Sequence, residues 1–260
     1  TLNFNKDIKK HHIDAVVGTT YQKNEWEGLW ASRLNFPQLG TDDYLTVLNA
    51  GQSNQQNTNS IKKSAMISYL GRVNYVYDNK YYVTGTFRRD GTSRLSKENR
   101  WGNFPSVSAA WRISKENFFN ISWINDLKIR GNWGRLGNSS IGEWDYLGTI
   151  NQSIVTLLGG TIVPGAAQVK IVNNNLVWET KETMNYGFDA AFLDQRLSLS
   201  AEYYVAKTHD VLTDMPIALS TGNQGGAPKA NAASLKNQGF EMTVGWRDQV
   251  KDFKYNVNMN

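Results

Sequence analysis

The stretch that decides the fold is residues 64–114, which read SAMISYLGRVNYVYDNKYYVTGTFRRDGTSRLSKENRWGNFPSVSAAWRIS. Apolar and polar side chains alternate along it with a period of two, which is the repeat of a β-strand. One face carries Ile67, Tyr69, Gly71, Val73, Tyr75, Tyr81, Val83, Gly85, Phe87, Val107, Ala109, Trp111 and Ile113. The opposite face carries Ser68, Arg72, Asn74, Tyr82, Thr84, Thr86, Arg88, Ser108 and Arg112. The turn 78–80 separates the first two arms, so the stretch predicts a β-hairpin followed by a third strand.

The same alternation recurs along the rest of the chain. Further arms run over 2–6, 12–22, 127–133, 184–192, 197–205, 240–246 and 253–259, so about ten strands are expected in all. The connections expected to be short are 7–11, 78–80, 193–196 and 247–252, and those expected to be long are 23–63, 91–103, 135–175 and 209–236. The connection 115–126 is intermediate in length, and we expect a helical turn there that is capped by Ser114. Alternation of short and long connections is typical of outer-membrane β-barrels.

Composition excludes several classes of protein. The chain of 260 residues has no cysteine, which excludes disulfides and thiolate chemistry and fits an oxidising compartment. Lys plus Arg exceed Asp plus Glu by 28 − 23 = 5, and the charges are scattered, so no nucleic-acid partner is expected. No apolar run is long enough for a membrane-spanning helix, and the first residues do not have the layout of a signal peptide. Both ends lie within alternating segments, so we expect a fragment of a longer polypeptide.

The apolar face meets lipid in a membrane barrel and a protein core in a soluble β-sandwich, so the two folds differ in what covers this face. None of the apolar-face positions in the seven clearest arms is charged, whereas the opposite face carries Arg72, Arg88, Arg112, Asp189, Glu202, Glu241 and Lys254. The arms have the length of bilayer-crossing strands, and the aromatic residues Tyr75, Tyr77, Tyr81, Trp246 and Phe253 lie near the turns. These features favour lipid, with a soluble carbohydrate-binding sandwich as the alternative.

No motif indicates catalysis. Residues 134–138, GRLGN, lack the Lys-Ser/Thr of a P-loop, and no Gly-x-Ser-x-Gly, His-Glu-x-x-His or EF-hand spacing occurs. The adjacent His11 and His12 would point to opposite faces of a strand and would chelate a metal poorly. We therefore expect no enzymatic activity, no cofactor and no metal site.

Several runs of residues also resemble a known family. They are GRVNY (71–75), RRDGTSR (88–94), WGNFPS (101–106), AWRIS (110–114), LKIRGNWG (127–134), LVWET (176–180), GFD (187–189), YY (203–204) and NQGFE (237–241). In order and spacing this set resembles the barrel of the SusC/RagA family of TonB-dependent outer-membrane transporters. The resemblance covers nearly the whole chain apart from the loops.

The resemblance implies an all-β fold, part of a transmembrane antiparallel barrel of about 22 strands in the outer membrane of a Gram-negative bacterium. Residues 1–260 would be a partial barrel domain, with the plug domain, the TonB-contacting segment and the closing strand outside this sequence. The family imports glycans or peptides with a SusD-like lipoprotein as a lid, driven by the TonB–ExbB–ExbD complex. A non-transporting outer-membrane scaffold or adhesin is the alternative.

Two groups of candidate site residues follow. The inward-facing set is expected to line the lumen, or to hold the plug by charge-assisted hydrogen bonds, and comprises Arg72, Arg88, Arg112, Arg130, Asp189, Glu202 and Tyr204. For any single one of these residues, solvation in the lumen without a specific partner is the favoured interpretation. The aromatic residues of the expected extracellular loops are Trp26, Trp30, Trp144 and Tyr146. Packing within their loops is the favoured interpretation, and stacking on sugar rings is the alternative.

Overall fold

The computed structural model of the chain describes residues 1–40, 47–223 and 226–260. Within these ranges it contains twelve strands: β1 (Leu2–Ile8), β2 (His11–Leu34), β3 (Ser53–Tyr77), β4 (Tyr81–Thr92), β5 (Trp101–Arg112), β6 (Ile124–Asn138), β7 (Ile150–Leu158), β8 (Thr161–Gln168), β9 (Glu179–Phe192), β10 (Leu197–Asp214), β11 (Lys229–Val250) and β12 (Phe253–Met259). In the described parts of the chain, no helix is both long and apolar enough to cross a bilayer.

Ten of these strands form one sheet in the order β1-β2-β3-β4-β5-β6-β9-β10-β11-β12, and β7 and β8 form a separate hairpin. Each described ladder between neighbouring strands is antiparallel. One row across the sheet pairs Tyr75, Val83, Ala109, Gly131, Tyr186, Tyr203 and Phe240, and the adjacent row pairs Asn74, Thr84, Ser108, Asn132, Asn185, Tyr204 and Gly239. The predicted all-β antiparallel sheet, with one apolar and one polar face, is confirmed.

The chain divides into two compact units. The first comprises residues 1–21 and 66–260 and contains most of the sheet; the second comprises residues 22–65. In the second unit, residues 22–34 of β2 and 53–65 of β3 are extended strand, so the predicted loop over 23–63 was too long. Polar side chains lie on both faces of these segments. A strand that is exposed to water on both faces shows no alternation of apolar and polar residues, so the sequence pattern does not predict it. Within that prediction, residues 41–46 lie outside the described ranges.

Three other connections also differ from expectation. The predicted loop over 135–175 contains the last residues of β6 and the whole β7–β8 hairpin. The predicted loop over 209–236 shortens to 215–228, because β10 and β11 extend into it. Ser114 is not a helix cap: it lies inside a 3₁₀ turn over Ile113–Lys115, and its hydroxyl donates to Asp126 Oδ1 at 2.5 Å. The hydroxyl bonds to Asp126, which lies 12 residues further along the chain, so a local capping pattern around Ser114 could not predict this contact.

The short turns are hydrogen-bonded to one another. Asp78 and Asn79 have φ of 54° and 53°, the left-handed conformation that a tight hairpin turn requires. The amide of Asp78 donates to Lys10 O at 2.7 Å, and the amide of Arg112 donates to Lys80 O at 2.7 Å. These bonds give this end of the sheet a continuous hydrogen-bonded border.

Glu116 is the acceptor at the centre of this border, in the connection between β5 and β6. Its carboxylate accepts from Tyr81 Oη at 2.5 Å, Lys80 Nζ at 3.0 Å and Trp111 Nε1 at 3.1 Å. These hydrogen bonds, with that from Tyr81 first, hold the pKa of Glu116 below its ordinary value. Tyr81 also stacks on Trp111 with ring centroids 6.3 Å apart. Aromatic residues therefore collect at the short-turn end, as predicted.

A small apolar cluster lies at the opposite end, where the longer loops begin. Its buried members are Leu95, Phe104, Ile141, Leu176 and Trp178. Phe104 belongs to β5 and shares the polar face with its cross-strand partner Arg88. The indole Nε1 of Trp178 donates to Arg100 O at 3.2 Å, which closes the cluster on one side. Three loops are held together on the polar face of the sheet by this cluster.

Candidate functional surface on the polar face of the sheet

The apolar face of the sheet is uncovered. Along the row that contains Val83, Tyr186 and Phe240, these side chains are 45%, 59% and 66% exposed. A continuous exposed apolar surface of this extent is unfavourable in water and requires an apolar medium or partner.

On five of the strands, the first charged residue toward the end where the longer loops begin marks the upper border of this apolar face. That charged border comprises Arg89, Arg135, Glu182, Lys207 and Lys236 on β4, β6, β9, β10 and β11. Below it, the apolar positions of β9 run from Met184 to Phe192. About nine residues at roughly 3.3 Å each, tilted by about 40°, span about 23 Å, close to the apolar band of about 25 Å on outer-membrane barrels. The apolar face therefore fits one bilayer core.

The lower half of the polar face carries a ladder of ion pairs. Arg112 Nε lies 2.7 Å from Asp126 Oδ1, and Lys128 Nζ lies 3.0 Å from Asp189 Oδ2. The Asp189 carboxylate also accepts from the Ser200 hydroxyl at 2.8 Å. Arg112 and Asp126 form a separate pair in this ladder, whereas the predicted residues Arg130, Asp189 and Glu202 belong to one network with Lys128. Lys128 and Asp126 are members of the ladder that the sequence did not single out.

Arg130 joins three strands of this ladder. Its Nε lies 3.4 Å from Asp189 Oδ2, and its guanidinium donates to Glu202 on β10. To do so it crosses Gly187, which is paired with Arg130 on one side and with Glu202 on the other. A Cβ at Gly187 would lie 3.3 Å from Arg130 Cζ and 2.6 Å from Ala201 O. The glycine therefore provides the space that the arginine needs.

Glu202 lies directly opposite a second acid, Glu241 of β11. Glu202 is neutralised by Arg130, but within the described ranges no ion pair is formed by Glu241. Like charges directly opposite one another destabilise a sheet. Glu241 thus leaves the polar face with an acidic group open to a cation from outside these strands.

Above the ladder lies a row of uncharged polar side chains. A shallow cavity of about 550 Å³ is lined there by Thr84, Ser108, Asn132 and Asn185, among others. The Oδ1 atom of Asn185 is buried and has no hydrogen-bond partner among the described residues. Next in the row, the ring of Tyr204 lies over Gly239, where a Cβ would approach the Tyr204 hydroxyl to 2.9 Å. This row can donate and accept hydrogen bonds without imposing a net charge.

The other predicted residues of the polar face lie apart from the ladder. Arg88 donates through Nε to both Asp90 oxygens, at 2.7 and 2.8 Å, and through Nη2 to Ser68 Oγ at 3.1 Å. These contacts lie beside the apolar cluster, since Arg88 is paired with Phe104. Arg72 is exposed and paired with Thr86, without an ion pair to any described residue.

The predicted loop aromatics are not one group. Trp26 and Trp30 lie on β2 in the unit 22–65, not in a loop, and are 54% and 53% exposed. Lys62 Nζ lies 5.2 Å from the centroid of the Trp26 ring. Trp144 does lie in a loop and is 52% exposed, whereas Tyr146 packs against the apolar cluster. The described geometry therefore leaves Trp144 as the exposed loop aromatic of the set.

The two histidines of the first turn face different partners. His11 Nδ1 lies 2.7 Å from the Tyr75 hydroxyl, and His12 Nδ1 lies 2.7 Å from Asp7 Oδ1. Within residues 1–40, 47–223 and 226–260, no group of three His, Asp or Glu side chains is placed to hold a metal ion.

Comparison with known proteins identifies the class to which this sheet belongs. The family model "TonB dependent receptor-like, beta-barrel" matches residues 2–260, so the chain belongs to that family. Its members are β-barrel receptors of the Gram-negative outer membrane, and the chain is therefore part of an outer-membrane protein. In such a barrel the apolar face is the one expected to meet the lipid.

Two curated relatives are similar to this chain over its whole length. The chain is 35% identical over 264 residues to the TonB-dependent receptor SusC of Bacteroides thetaiotaomicron, covering 100% of this chain and 26% of SusC. It is 34% identical over 261 residues to the TonB-dependent receptor P3 of Formosa agariphila, covering 100% of this chain and 26% of P3. The resemblance to SusC is thus confirmed, and the chain spans about a quarter of the length of the curated relatives it matches.

Solved structures give the same fold. The RagAB peptide importer in its closed-closed state matches with a TM-score of 0.81 and 26% identity, over 98% of this chain and 28% of that chain. The siderophore receptor PirA of Acinetobacter baumannii matches with a TM-score of 0.57 and 13% identity, over 98% of this chain and 34% of that chain, which is a likeness of fold alone.

Proposed function

We propose that the protein containing this sheet is an outer-membrane TonB-dependent importer of glycans, oligosaccharides or peptides. The observation that carries the proposal is the division between the faces: the apolar face suits lipid, whereas the polar face carries the ion-pair ladder and the uncharged row. In a closed barrel the polar face becomes the wall of a water-filled lumen. Such a lumen conducts solutes, and large solutes pass without leakage only if a movable plug closes it.

The plug and its source of energy belong to other parts of the protein and to its partners. The chain spans about a quarter of its curated relatives, which leaves room in the full protein for a plug domain, a TonB-contacting segment and the remaining strands. The TonB–ExbB–ExbD complex would supply the work, and a SusD-like lipoprotein would close the extracellular mouth. The ladder and the open Glu241 suit contacts with basic groups of a plug.

The class of solute follows from the uncharged row and from the relatives. One solved relative is described as a peptide importer. Thr84, Ser108, Asn132 and Asn185 offer neutral hydrogen-bonding groups that suit hydroxyls or peptide amides. These neutral groups therefore suit a glycan or a peptide backbone. We also propose that the protein catalyses no reaction.

Uptake in cells tests this function. A strain lacking the whole gene is supplied with a fluorescent oligosaccharide pool or a fluorescent peptide pool, each too large for general porins. We expect uptake of one pool to be lost, to return with the full-length gene, and to stop when a protonophore collapses the proton gradient.

The controls distinguish the importer from the scaffold or adhesin. A strain lacking only the gene for the SusD-like lipoprotein should lose most uptake while the barrel remains in the membrane. Unchanged uptake of both pools after deletion of the barrel gene would contradict the proposal. Uptake that persists without a proton gradient would indicate a passive pore instead.

A further inference from the structure

The charged border of the apolar face contains two lysines directly opposite each other. Lys207 of β10 is paired with Lys236 of β11. Both lie on the apolar face, because they continue the alternation of Tyr203 and Val205 on one strand and of Phe240 on the other. Directly opposed cations repel one another, and a sheet normally avoids them.

The nearest acid on this face is already engaged. Glu182 is the cross-strand neighbour of Lys207 on the other side. Its carboxylate accepts from Arg135 on β6, whose Nε lies 3.0 Å from Glu182 Oε1. Within the described ranges, neither Lys207 nor Lys236 forms an ion pair. The lysine pair therefore lacks a counter-charge from these strands.

The position of the pair indicates what supplies that counter-charge. Val205 lies two residues below Lys207 on the same face and is the last apolar residue of its strand before the border. Gln238, two residues from Lys236 on the same face, adds a neutral amide donor beside the pair. On β4 and β5 the same border carries Arg89, which lies 5.2 Å from the centroid of the Trp101 ring. This is the level at which lipid headgroups meet the barrel.

We propose that Lys207 and Lys236, with the Gln238 amide beside them, bind a phosphate group of an anionic lipid headgroup in the outer leaflet. Cross-strand neighbours have Cβ atoms about 5 Å apart, so two lysine side chains can reach oxygens of one phosphate. A phosphate there replaces repulsion by two charge-assisted contacts. Because the site adjoins the hydrocarbon region, its ligand is a lipid whose acyl chains lie along the apolar face. Phosphorylated glycolipid of the lipid A type has this chemistry.

Lipid binding to the full-length protein tests the site. The protein is purified in detergent, delipidated and titrated with bis-phosphorylated lipid A, with dephosphorylated lipid A and with inorganic phosphate, and bound lipid is counted by native mass spectrometry. Lys207→Gln and Lys236→Gln should each weaken binding of bis-phosphorylated lipid A about fivefold, since each lysine near an anionic surface contributes about 1 kcal/mol. Dephosphorylated lipid should bind both variants and the unchanged protein equally.

Lys181 provides the matched control. It is paired with Thr208, one residue from Lys207, at the same height but on the polar face. Lys181→Gln removes the same charge and should leave lipid A binding unchanged. The double variant Lys207→Arg with Lys236→Arg keeps both charges and should retain binding, which separates loss of the site from misfolding.

Three results would overturn the proposal. Equal weakening by Lys181→Gln would show a response to net charge alone. Unchanged binding in both single glutamine variants would remove the site. Inorganic phosphate that competes fully with lipid A would identify a site for free anions. None of these results depends on whether the protein transports a solute.

Discussion

The two faces of the sheet use the same strands and meet their surroundings in opposite ways. On the apolar face, Val83, Tyr186 and Phe240 remain widely exposed, and the surrounding medium must satisfy them. On the polar face, Arg130 crosses Gly187 to reach Glu202, so the chain satisfies much of its own charge. On the apolar face, contact with lipid limits which residue types can occur. On the polar face, the register of the strands determines which side chains lie close enough to pair.

The largest expected effect separates the faces at adjacent positions. Val83→Arg should lower the free energy of unfolding of the full-length barrel by about 2–4 kcal/mol, because it places a charge in the hydrocarbon region. Thr84→Arg places the same residue on the polar face and should change it little. Urea titrations in lipid vesicles measure both variants. Equal losses at the two positions would mean that the faces are wrongly assigned.

A smaller effect is expected from one glycine on each face. Gly187→Ala should destabilise the protein by about 1–3 kcal/mol, since its Cβ would lie 2.6 Å from Ala201 O and crowd Arg130. Gly85 lies on the apolar face, and a Cβ there would meet nothing within 4 Å. Gly85→Ala should therefore be neutral or slightly stabilising. The same vesicle titrations measure the free energy of unfolding of both variants. An equal decrease in the two variants would contradict the explanation that Gly187 is needed because Arg130 crosses it.

The smallest effect concerns pH at the short-turn border, outside the spanning segments. The pKa of Glu116 is lowered in the fold by its hydrogen bonds to Tyr81, Lys80 and Trp111. Its contribution to stability is therefore fully present above its unfolded pKa and is lost as the pH falls through the lower, folded pKa. Acidification should therefore lower the hydrogen-exchange protection factors of residues 113–123 in the unchanged protein, each protection factor being the intrinsic exchange rate at that pH divided by the observed rate.

The glutamine variant is the control for this pH effect. Glu116→Gln keeps an acceptor oxygen but does not titrate, so the protection factors of residues 113–123 in this variant should depend less on pH over the acid range. An identical acid response in the variant and the unchanged protein would assign the effect to other carboxyl groups.

The sequence predicted the faces well, because a period of two survives wherever lipid excludes charge from alternate positions. The Val83 row and the ends of the short turns follow from that rule alone. Strand ends beyond the lipid were not predictable in this way. Trp26 and Trp30 lie among polar neighbours on a strand without apolar alternation, so the sequence pattern predicts a loop there.

The sequence predicted only part of the candidate functional surface on the polar face. The charged residues of the polar face were identified, but their pairing depends on register: Arg130 finds Glu202 only because Gly187 lies between them. The apolar cluster was missed because Leu95, Leu176 and Trp178 are isolated apolar residues in separate loops. Nothing local to each residue indicates that they meet.

Spin-label accessibility along β4 tests the central claim most directly. The chain has no cysteine, so single cysteines at 81–88 can be labelled in full-length protein freed of any other cysteines and placed in vesicles. We predict that access to oxygen peaks at Tyr81, Val83, Gly85 and Phe87, while access to a water-soluble nickel reagent peaks at the alternate positions. Equal access of both reagents at every position, or nickel access at Val83 as high as at Thr84, would contradict a lipid-facing apolar side.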